Sequence, residues 1–307
     1  MRDYDFDVAV LGGGPAGLTA GIYLSRAKVK SIVLNEGTVG GQTVLTHEIA
    51  NYPGIDSING FQLARTMKNQ AIKFGCEVRG NLKITKVELD GEQKKIVVND
   101  KEIYTAKAVI IASGGKSRTL NVPGEDKFKG MGISYCATCD GDFFTGKDII
   151  VVGGGNSALE EAVALTKYAK SVTIVHQFDN FQAFPHAVKE AQNNEKIKFI
   201  MESEIEEFIG DEQLEKVKIE NQRTKEISEM EIDGVFILIG YVPNTEKFDG
   251  IVNLNERKEI VTDKDLRTNI PGVFAAGDSI EKKYRQITTA VADGTIAALN
   301  SIEYINS

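Results

Sequence analysis

The stretch Asp7-Val-Ala-Val-Leu-Gly-Gly-Gly-Pro-Ala-Gly17 decides the fold of this 307-residue chain. The apolar residues after Asp7 form a short run that is typical of a buried parallel strand. The spacing Gly12-x-Gly14-x-x-Gly17 follows, then a helical pattern over residues 18–27 and a second apolar run, Ser31–Leu34. Strand, glycine turn, helix and strand in this order predict a β-α-β unit.

The three glycines have different physical roles in such a unit. Gly12 permits the tight turn, Gly14 lets a pyrophosphate approach the backbone, and Gly17 lets helix and strand pack closely. Free N–H groups at the helix start would face the phosphate charge. Glu36, just past the second strand, is placed to accept hydrogen bonds from ribose hydroxyls. We therefore expect this unit to bind a dinucleotide.

The same pattern recurs roughly 140 residues downstream, a distance that indicates a duplicated domain and not a short repeat. It consists of a strand at Asp148–Val152, the spacing Gly153-x-Gly155-x-x-Ala158, a helix, and a strand at Ser171–Val175. Alternating polarity at 83–103 and again at 204–232 predicts a small β-meander in each unit. The predicted fold class is α/β, with two Rossmann-like dinucleotide-binding domains, the second inserted into the first.

The C-terminal residues predict a return to the first domain. A strand ends in Gly277-Asp278, and an amphipathic, alanine-rich helix follows at about 289–305. Asp278 would then reach the polyol chain of the cofactor held by the first glycine loop. We expect one domain from residues 1–115 and 245–307, with residues 116–244 inserted into it.

A second signal is Cys136-Ala-Thr-Cys139-Asp140, which lies in the inserted part of the chain. Two residues between cysteines permit a small disulfide ring at a helix start, where the helix dipole lowers thiol pKa values. Asp140 adjoins the second sulfur and can move protons as the dithiol opens and closes. The remaining cysteine, Cys76, is expected to be a buried apolar residue without a redox role.

A zinc site is the main alternative for the cysteine pair. Zinc sites usually need four ligands, and the sequence has no second cysteine pair. His176 and His186 have no spacing typical of a zinc finger. We therefore predict no metal ion, and a redox pair explains the sequence better.

Composition limits the class of protein further. The formal net charge is −8, which argues against general binding of nucleic acids or anionic membranes. No apolar run is long enough for a membrane span. The acidic residues 1–7 do not resemble a secretion signal, so a cytoplasmic location without structural disulfides is expected.

These motifs together closely resemble low-molecular-weight thioredoxin reductases, a group of flavoproteins with two dinucleotide-binding domains. The resemblance covers nearly the whole chain, and Cys136-Ala-Thr-Cys-Asp140 is its most specific element. Further matching elements are Gly40-Gly-Gln42, Asn51-Tyr-Pro-Gly54, Pro243-Asn-Thr245 and Tyr284-Arg-Gln286. The resemblance implies bound FAD, a homodimer, and thioredoxin as the protein whose disulfide is reduced.

The resemblance also implies roles for individual residues. Cys139 would face the flavin, Cys136 would attack the disulfide of the partner, and Asp140 would be the general acid and base. Residues 245–307 and 1–115 would hold FAD, and residues 116–244 would be an NAD(P)-binding-like domain. The FAD positions are Gly12, Gly14, Pro15, Ala16, Gly17, Glu36, Gly41, Gln42, Asn51, Ala112, Gly114, Gly277, Asp278, Arg285, Gln286 and Ile287.

The second glycine loop departs from the family pattern. Its candidate nucleotide-binding residues are Gly153, Gly155, Asn156, Ser157 and Ala158. The family's usual His-Arg-Arg-x-x-x-Arg reads here His176-Gln-Phe178-x-x-x-Gln182, without the arginines that bind the 2′-phosphate of NADPH. Some relatives with such degraded sites take electrons from ferredoxin. The donor therefore stays open between ferredoxin, NADH and NADPH, with NADPH selectivity expected to be lost.

Two other functions stay open at this point. One is an NADH- or NADPH-dependent reductase of another dithiol protein, such as a peroxidase. The other is a flavoprotein sensor without catalysis, which would have no need for the Cys-Ala-Thr-Cys-Asp arrangement.

Overall fold

The structure is a computed structural model that describes residues 4–46 and 48–307. Residues 1–3, part of the acidic start for which no secretion signal is predicted, lie outside the described residues. The chain divides into two compact units. Unit 1 comprises residues 1–116 and 242–307, and unit 2 comprises residues 117–241.

The first part of unit 1 begins with a β-α-β arrangement. Its elements are β1 (Phe6–Leu11), α1 (Pro15–Arg26), β2 (Ser31–Glu36), α2 (Gly60–Phe74), β3 (Glu77–Leu82), β4 (Ile84–Glu88), β5 (Lys94–Val98) and β6 (Glu102–Ile111). The helix α1 begins before the predicted residue 18, because Pro15 occupies its first turn. A proline is well tolerated there, since the N–H that it lacks has no partner within the helix.

The remaining elements follow in chain order. The strand β7 (Gly115–Ser117) leads into unit 2. The elements of unit 2 are α3 (Glu125–Phe128), β8 (Ile133–Ser134), α4 (Ala137–Asp140), β9 (Asp148–Val152), α5 (Asn156–Leu165), β10 (Ser171–Val175), α6 (Pro185–Gln192), β11 (Ile197–Ile200), β12 (Ser203–Ile209), β13 (Lys216–Asn221), β14 (Ile227–Glu231) and β15 (Gly234–Ile237). The chain continues with β16 (Tyr241–Pro243), β17 (Val273–Ala275) and α7 (Ile287–Asn306).

The sheet of unit 1 has the strand order β3-β2-β1-β6-β5-β4, with β17 also paired to β6. The strands β1, β2, β3 and β17 lie parallel to their neighbours, as expected for strands that alternate with helices. The long strand β6 pairs antiparallel with β5 near its start and parallel with β17 near its end. The predicted meander is thus the antiparallel part of this sheet. Val8–Val10 of β1, which lies in the middle of the sheet, are fully buried.

The C-terminal helix α7 packs on α1. A Cβ atom added at Gly294 would lie 2.1 Å from the carbonyl oxygen of Ala16, so the two helix backbones approach closely. Near the other end of α7, the ring of Tyr304 contacts that of Phe274 in β17 with centroids 6.3 Å apart. The residues after 242 therefore complete the core of unit 1.

Unit 2 has its own parallel sheet, in the order β11-β10-β9-β15-β8. A separate antiparallel sheet, β12-β13-β14, is the meander predicted for this unit. The prediction of an α/β fold with two Rossmann-like domains is confirmed. Among the described residues, none of the helices has the length and apolarity needed to cross a membrane.

Candidate active site

The glycine loop of unit 1 has the geometry that the sequence predicts. Gly12 has a φ of 115°, and a Cβ atom there would lie 2.1 Å from the carbonyl oxygen of Ala112. A Cβ atom at Gly17 would lie 1.9 Å from the carbonyl oxygen of Gly12. At Gly14, the N-cap of α1, the nearest described atom to an added Cβ is the Cα of Gly41, 3.9 Å away. Gly12 and Gly17 are thus required for packing, and Gly14 leaves room for a ligand.

The side chain of Asn35 holds this loop in place. Its Oδ1 accepts a hydrogen bond of 2.7 Å from the backbone N–H of Gly13, and its Nδ2 donates to the carbonyl oxygens of Glu36 and Gly37. Asn35 is buried at the end of β2. Sequence reasoning missed this residue, although an asparagine that directly precedes the predicted ribose-binding glutamate was a usable signal.

Other predicted positions lie around the same loop. Gly40 donates its N–H to the carbonyl oxygen of Gly13 at 2.8 Å, so the Gly40-Gly41-Gln42 turn lies against the loop. Asn51 Nδ2 donates to Gln286 Oε1 at 3.4 Å, which brings together two positions that are far apart in sequence. Gln286 is the N-cap of α7, and Ile287 is the first residue of that helix.

Asp278 lies in a short 3-10 turn directly after β17. A Cβ atom at the preceding Gly277 would lie 2.9 Å from the Cβ of Ala16, so this turn packs on the start of α1. Burial raises the pKa of Asp278, and Lys282 and Arg285 oppose that rise. The buried Oδ1 atom of Asp278 has no hydrogen-bond partner among the described residues. A polar ligand that donates a hydrogen bond would complete this site.

Two of the predicted side chains are engaged within the protein. Glu36 accepts a 3.0 Å hydrogen bond from the N–H of Ile84 and pairs with Lys247 Nζ at 2.5 Å. Arg285 pairs through Nη2 with the buried carboxylate of Glu259. Their roles toward a ribose and a flavin ring therefore stay predictions.

The residues of unit 1 fit a bound dinucleotide such as FAD. The buried Ser113 Oγ at the end of β6 also has no hydrogen-bond partner within the described part of the chain. With Asp278 it gives two unsatisfied polar atoms next to the carboxyl ends of parallel strands, where nucleotides bind in open α/β sheets. Gly114, with a φ of 63°, continues the turn after Ser113. Gly14 and the start of α1 would receive the pyrophosphate.

In unit 2, the sulfurs of Cys136 and Cys139 form a disulfide of 2.03 Å. Cys136 is the N-cap of α4, and its carbonyl oxygen accepts the N–H groups of Cys139 and Asp140, both at 3.2 Å. This is the helix-start position that the sequence predicts. Cys76 is buried in unit 1, and burial raises the pKa of its thiol, as expected for a structural cysteine.

Two partly buried carboxylates lie in or against the turn that carries the disulfide. Asp140 Oδ2 accepts a 2.5 Å hydrogen bond from the hydroxyl of Ser134, and burial raises the pKa of Asp140. From α5, Glu161 Oε2 accepts the N–H of Ala137 at 3.2 Å, and burial also raises its pKa. A raised pKa brings a carboxyl group closer to the neutral range in which it can both give and take a proton. Sequence reasoning found Asp140 and missed Ser134 and Glu161.

The second glycine loop keeps the backbone geometry of a nucleotide loop. Gly153 has a φ of 139°, and a Cβ atom there would lie 2.5 Å from the carbonyl oxygen of Leu238 and 3.0 Å from the Cβ of Ala158. Gly155 is the N-cap of α5. Asn156 Oδ1 accepts the N–H of Phe184 at 2.7 Å, while Ser157 in the first turn is exposed.

Residues 176–184 lie against this loop. The ring of His176 is so close that a Cβ atom at Gly154 would lie 2.3 Å from it, and burial lowers the pKa of this histidine. His176 stacks on Phe181 with ring centroids 5.6 Å apart. Gln182 donates its backbone N–H to the carbonyl oxygen of Gly154 at 2.9 Å. The segment contains no lysine or arginine, and Asp179 adds a negative charge.

Within residues 4–46 and 48–307, no group of three or more histidine, cysteine, aspartate or glutamate side chains is arranged to hold a metal ion.

Comparison with known proteins agrees with this geometry. Residues 6–294 match the pyridine nucleotide-disulphide oxidoreductase family. The chain is 47% identical to a 34.2 kDa protein in the rubredoxin operon of Clostridium pasteurianum, over 99% of this chain and 98% of that protein. It is 44% identical to the thioredoxin reductase of Peptoclostridium acidaminophilum, with 98% of each chain covered.

Solved structures give the same result. The crystal structure of thioredoxin reductase from Streptococcus pyogenes MGAS5005 is similar with a TM-score of 0.94 and 41% identity, and the match covers 98% of both chains. The resemblance found in the motifs is therefore confirmed over nearly the full length of the chain. The family match, these relatives and the glycine loops in both units show that the chain belongs to the pyridine nucleotide-disulphide oxidoreductase family, among the thioredoxin reductases, and is an oxidoreductase that acts on a sulfur group.

Proposed function

We propose that the chain is a flavin-dependent thioredoxin-disulfide reductase. The observation that carries the proposal is the Cys136–Cys139 disulfide at the start of α4, with the carboxylate of Asp140 in the same turn. The glycine loop and the unsatisfied Asp278 in unit 1 support FAD as the cofactor. The names of relatives at more than 40% identity support thioredoxin as the acceptor.

The residues of unit 2 account for the exchange chemistry. When bound, FAD supplies two electrons. The disulfide takes up these electrons and two protons to give two thiols. The Cys136 thiolate then attacks one sulfur of the acceptor disulfide and displaces the other, which forms a mixed disulfide. The Cys139 thiolate attacks Cys136 in turn, which restores the internal disulfide and releases the acceptor as a dithiol. Asp140 gives and takes the proton that each thiol exchanges.

Substitution of the cysteines tests this mechanism. Cys136→Ser and Cys139→Ser should each abolish reduction of thioredoxin, while the purified proteins keep their flavin. Cys76→Ser is the matched control, because this cysteine is buried in unit 1. Insulin reduction measured with and without thioredoxin separates this acceptor from another dithiol protein such as a peroxidase. Full thioredoxin reduction by Cys136→Ser would contradict the proposed role.

The proposal includes the loss of efficient NADPH use. The 2′-phosphate of NADPH is normally bound by arginines after the second strand of the fold. Here Gln177, Phe178 and Gln182 stand at those positions, all three exposed, and no cation replaces them in residues 176–184. NADH or reduced ferredoxin is the better candidate donor, and the retained geometry of Gly153 to Ala158 keeps NADH possible.

A rapid-mixing experiment distinguishes the donors. The flavin absorbance of the purified protein is followed after anaerobic mixing with NADH, NADPH or reduced ferredoxin. Bleaching by NADH within seconds supports the retained nucleotide loop. Bleaching by reduced ferredoxin alone supports a protein donor, and rapid bleaching by NADPH would contradict the loss of NADPH use.

The proposal also includes a homodimer formed by unit 1. This unit exposes large apolar side chains on two of its helices, with Phe61 of α2 54% exposed and Leu299 of α7 52% exposed. Such side chains are often buried in subunit interfaces. Sedimentation velocity of the purified protein, compared with Phe61→Glu and Leu299→Glu, tests the assembly. A monomeric parent protein would contradict it.

A further inference from the structure

The hydroxyl of Ser134 lies between the carboxylate of Asp140 and the backbone of Cys136. Ser134 Oγ is 2.5 Å from Asp140 Oδ2, 3.1 Å from the nitrogen of Cys136 and 3.4 Å from the carbonyl oxygen of Cys136. Ser134 is buried at the end of β8. It therefore contacts both the predicted acid and base and the residue that begins the redox turn.

A serine hydroxyl has one proton to donate, so it cannot serve both acceptors at once. When Asp140 is ionised, the hydroxyl donates to its carboxylate and accepts the N–H of Cys136. When Asp140 is protonated, the carboxylic acid can donate to Ser134 Oγ, and the hydroxyl proton can turn toward the carbonyl oxygen of Cys136. That carbonyl oxygen also accepts the N–H groups of Cys139 and Asp140.

We infer that Ser134 is a positioning residue for proton transfer at the redox pair. Its hydroxyl stabilises the ionised form of Asp140 by a hydrogen bond, and it donates to the carbonyl oxygen of Cys136 instead when Asp140 becomes protonated. The inference rests on the proposed exchange at Cys136 and Cys139. Ser134 acts on the redox pair through Asp140, to whose carboxylate its hydroxyl donates.

The other charged groups around the redox turn do not favour the ionised form of Asp140, and the hydroxyl of Ser134 does. The 3-10 turn 141–144 brings Asp142, whose charge disfavours ionisation of Asp140. From α5, Glu161 approaches the redox turn at Ala137, with Glu160 next to it. These neighbours are all acidic and Asp140 is partly buried, so a hydrogen bond donated to its carboxylate opposes both effects.

The test uses dithiol exchange with a small disulfide, which needs neither flavin nor thioredoxin. The purified protein is reduced with dithiothreitol, freed of excess reductant, and mixed anaerobically with an aromatic disulfide between pH 5 and 10. The variants are Ser134→Ala, Asp140→Asn and the double variant. Ser203→Ala is the matched control, because it removes a buried hydroxyl of the same unit that donates to the carbonyl oxygen of Met201 and accepts from Nδ2 of Asn221.

Ser134→Ala should shift the rising limb of the pH profile to higher pH, with exchange at pH 7 slower by about tenfold, as expected for the loss of a hydrogen bond to a charged group. The rates should converge with the parent at high pH. In the Asp140→Asn background, Ser134→Ala should have no further effect. Ser203→Ala should leave the profile unchanged.

Three results would overturn the inference: a Ser134→Ala profile that superimposes on the parent, an unchanged profile for Asp140→Asn, or single effects that multiply fully in the double variant. A protein that shows the expected shift but does not reduce thioredoxin would refute only the proposed acceptor.

Discussion

Asn35 Oδ1 accepts the backbone N–H of Gly13 at 2.7 Å, and this bond fastens the end of β2 to the glycine loop. Asn35→Ala should loosen that loop, because a buried N–H loses its partner. We expect the affinity for FAD to fall about tenfold, in line with the loss of one buried hydrogen bond. Titration of the flavin-free protein with FAD, followed by flavin fluorescence, measures the change.

Asn269→Ala is the control for this prediction. Asn269 Oδ1 accepts the N–H of Asn253 at 2.8 Å, an exposed bond with the same donor and acceptor groups in the C-terminal part of unit 1. Equal loss of FAD affinity in both variants would show that Asn35 has no special relation to the nucleotide.

The first glycine loop predicts opposite outcomes for two alanine substitutions. Gly14→Ala should fold normally, since φ is −76° and an added Cβ has 3.9 Å of room, but its methyl group should obstruct the approach of the pyrophosphate. Gly17→Ala should lower the stability of unit 1 itself, because its Cβ would lie 1.9 Å from a carbonyl oxygen. Thermal unfolding without flavin and FAD titration together separate the two effects. Normal stability of Gly17→Ala would contradict the packing argument.

The sequence predicts these glycine roles because steric exclusion acts at the residue itself. A glycine spacing between a strand and a helix is a local signal, and so is the spacing of Cys136 and Cys139 at a helix start. The roles of Asn35 and Ser134 were missed because they depend on how separate strands place a side chain. Such partners arise from tertiary packing, which short sequence patterns do not encode.

Glu36 is a further residue whose contacts depend on tertiary packing that the sequence pattern does not show. Its position after β2 predicts ribose binding, and that prediction stays untested. The structure adds that Ile84 and Lys247, from distant parts of unit 1, already bind its carboxylate. Sequence position placed this side chain correctly at the strand end, but its competing partners come from elements that approach only in the folded unit.

The pair formed by Arg285 and Glu259 predicts a loss of stability. The side chain of Glu259 is 7% exposed and that of Arg285 is 23% exposed. Glu259→Gln would leave the guanidinium without its carboxylate in a largely buried place, which should cost about 3 kcal/mol of unfolding free energy. Urea denaturation of the protein measures the change.

The nearby pair of Lys258 and Asp249 provides the contrast. These side chains are 63% and 55% exposed, with 3.0 Å between Nζ and Oδ2. Asp249→Asn should change the unfolding free energy by less than about 1 kcal/mol, because water already screens the exposed charges. Similar losses in the two variants would contradict the distinction between the buried and the exposed pair.

Asp140 should make the stability of unit 2 depend on pH. Burial raises its pKa above the ordinary value of 3.8. At a pH between the pKa of the unfolded chain and the higher pKa of the folded chain, the folded chain therefore binds more protons than the unfolded chain. The stability that this group contributes is fully present below the unfolded pKa and is lost as pH rises through the folded pKa. Asp140→Asn removes the ionisation and should therefore gain in melting temperature relative to the parent as pH rises from 4 to 8.

The same substitution should lower the exchange activity, since an amide cannot act as the acid and base. Melting temperatures of both proteins at each pH, measured beside the exchange rate, check the two effects together. A difference in melting temperature that stays constant over this range would argue against a raised pKa of Asp140.

Arginines placed in the second glycine unit should restore NADPH use. Gln177, Phe178 and Gln182 are all exposed, so an arginine side chain at each position can extend into solvent. A charge-assisted hydrogen bond to phosphate is worth about 1.5–3 kcal/mol, so the triple variant should prefer NADPH over NADH by about 100-fold more than the parent does. The ratio of kcat/KM for the two nucleotides, measured from flavin reduction, gives this preference directly.

NADH serves as the internal control, because it lacks the 2′-phosphate and should gain little from the new charges. Equal gains with both nucleotides would indicate general attraction of anions, and no gain with either would show that the retained loop from Gly153 to Ala158 no longer receives a nicotinamide nucleotide.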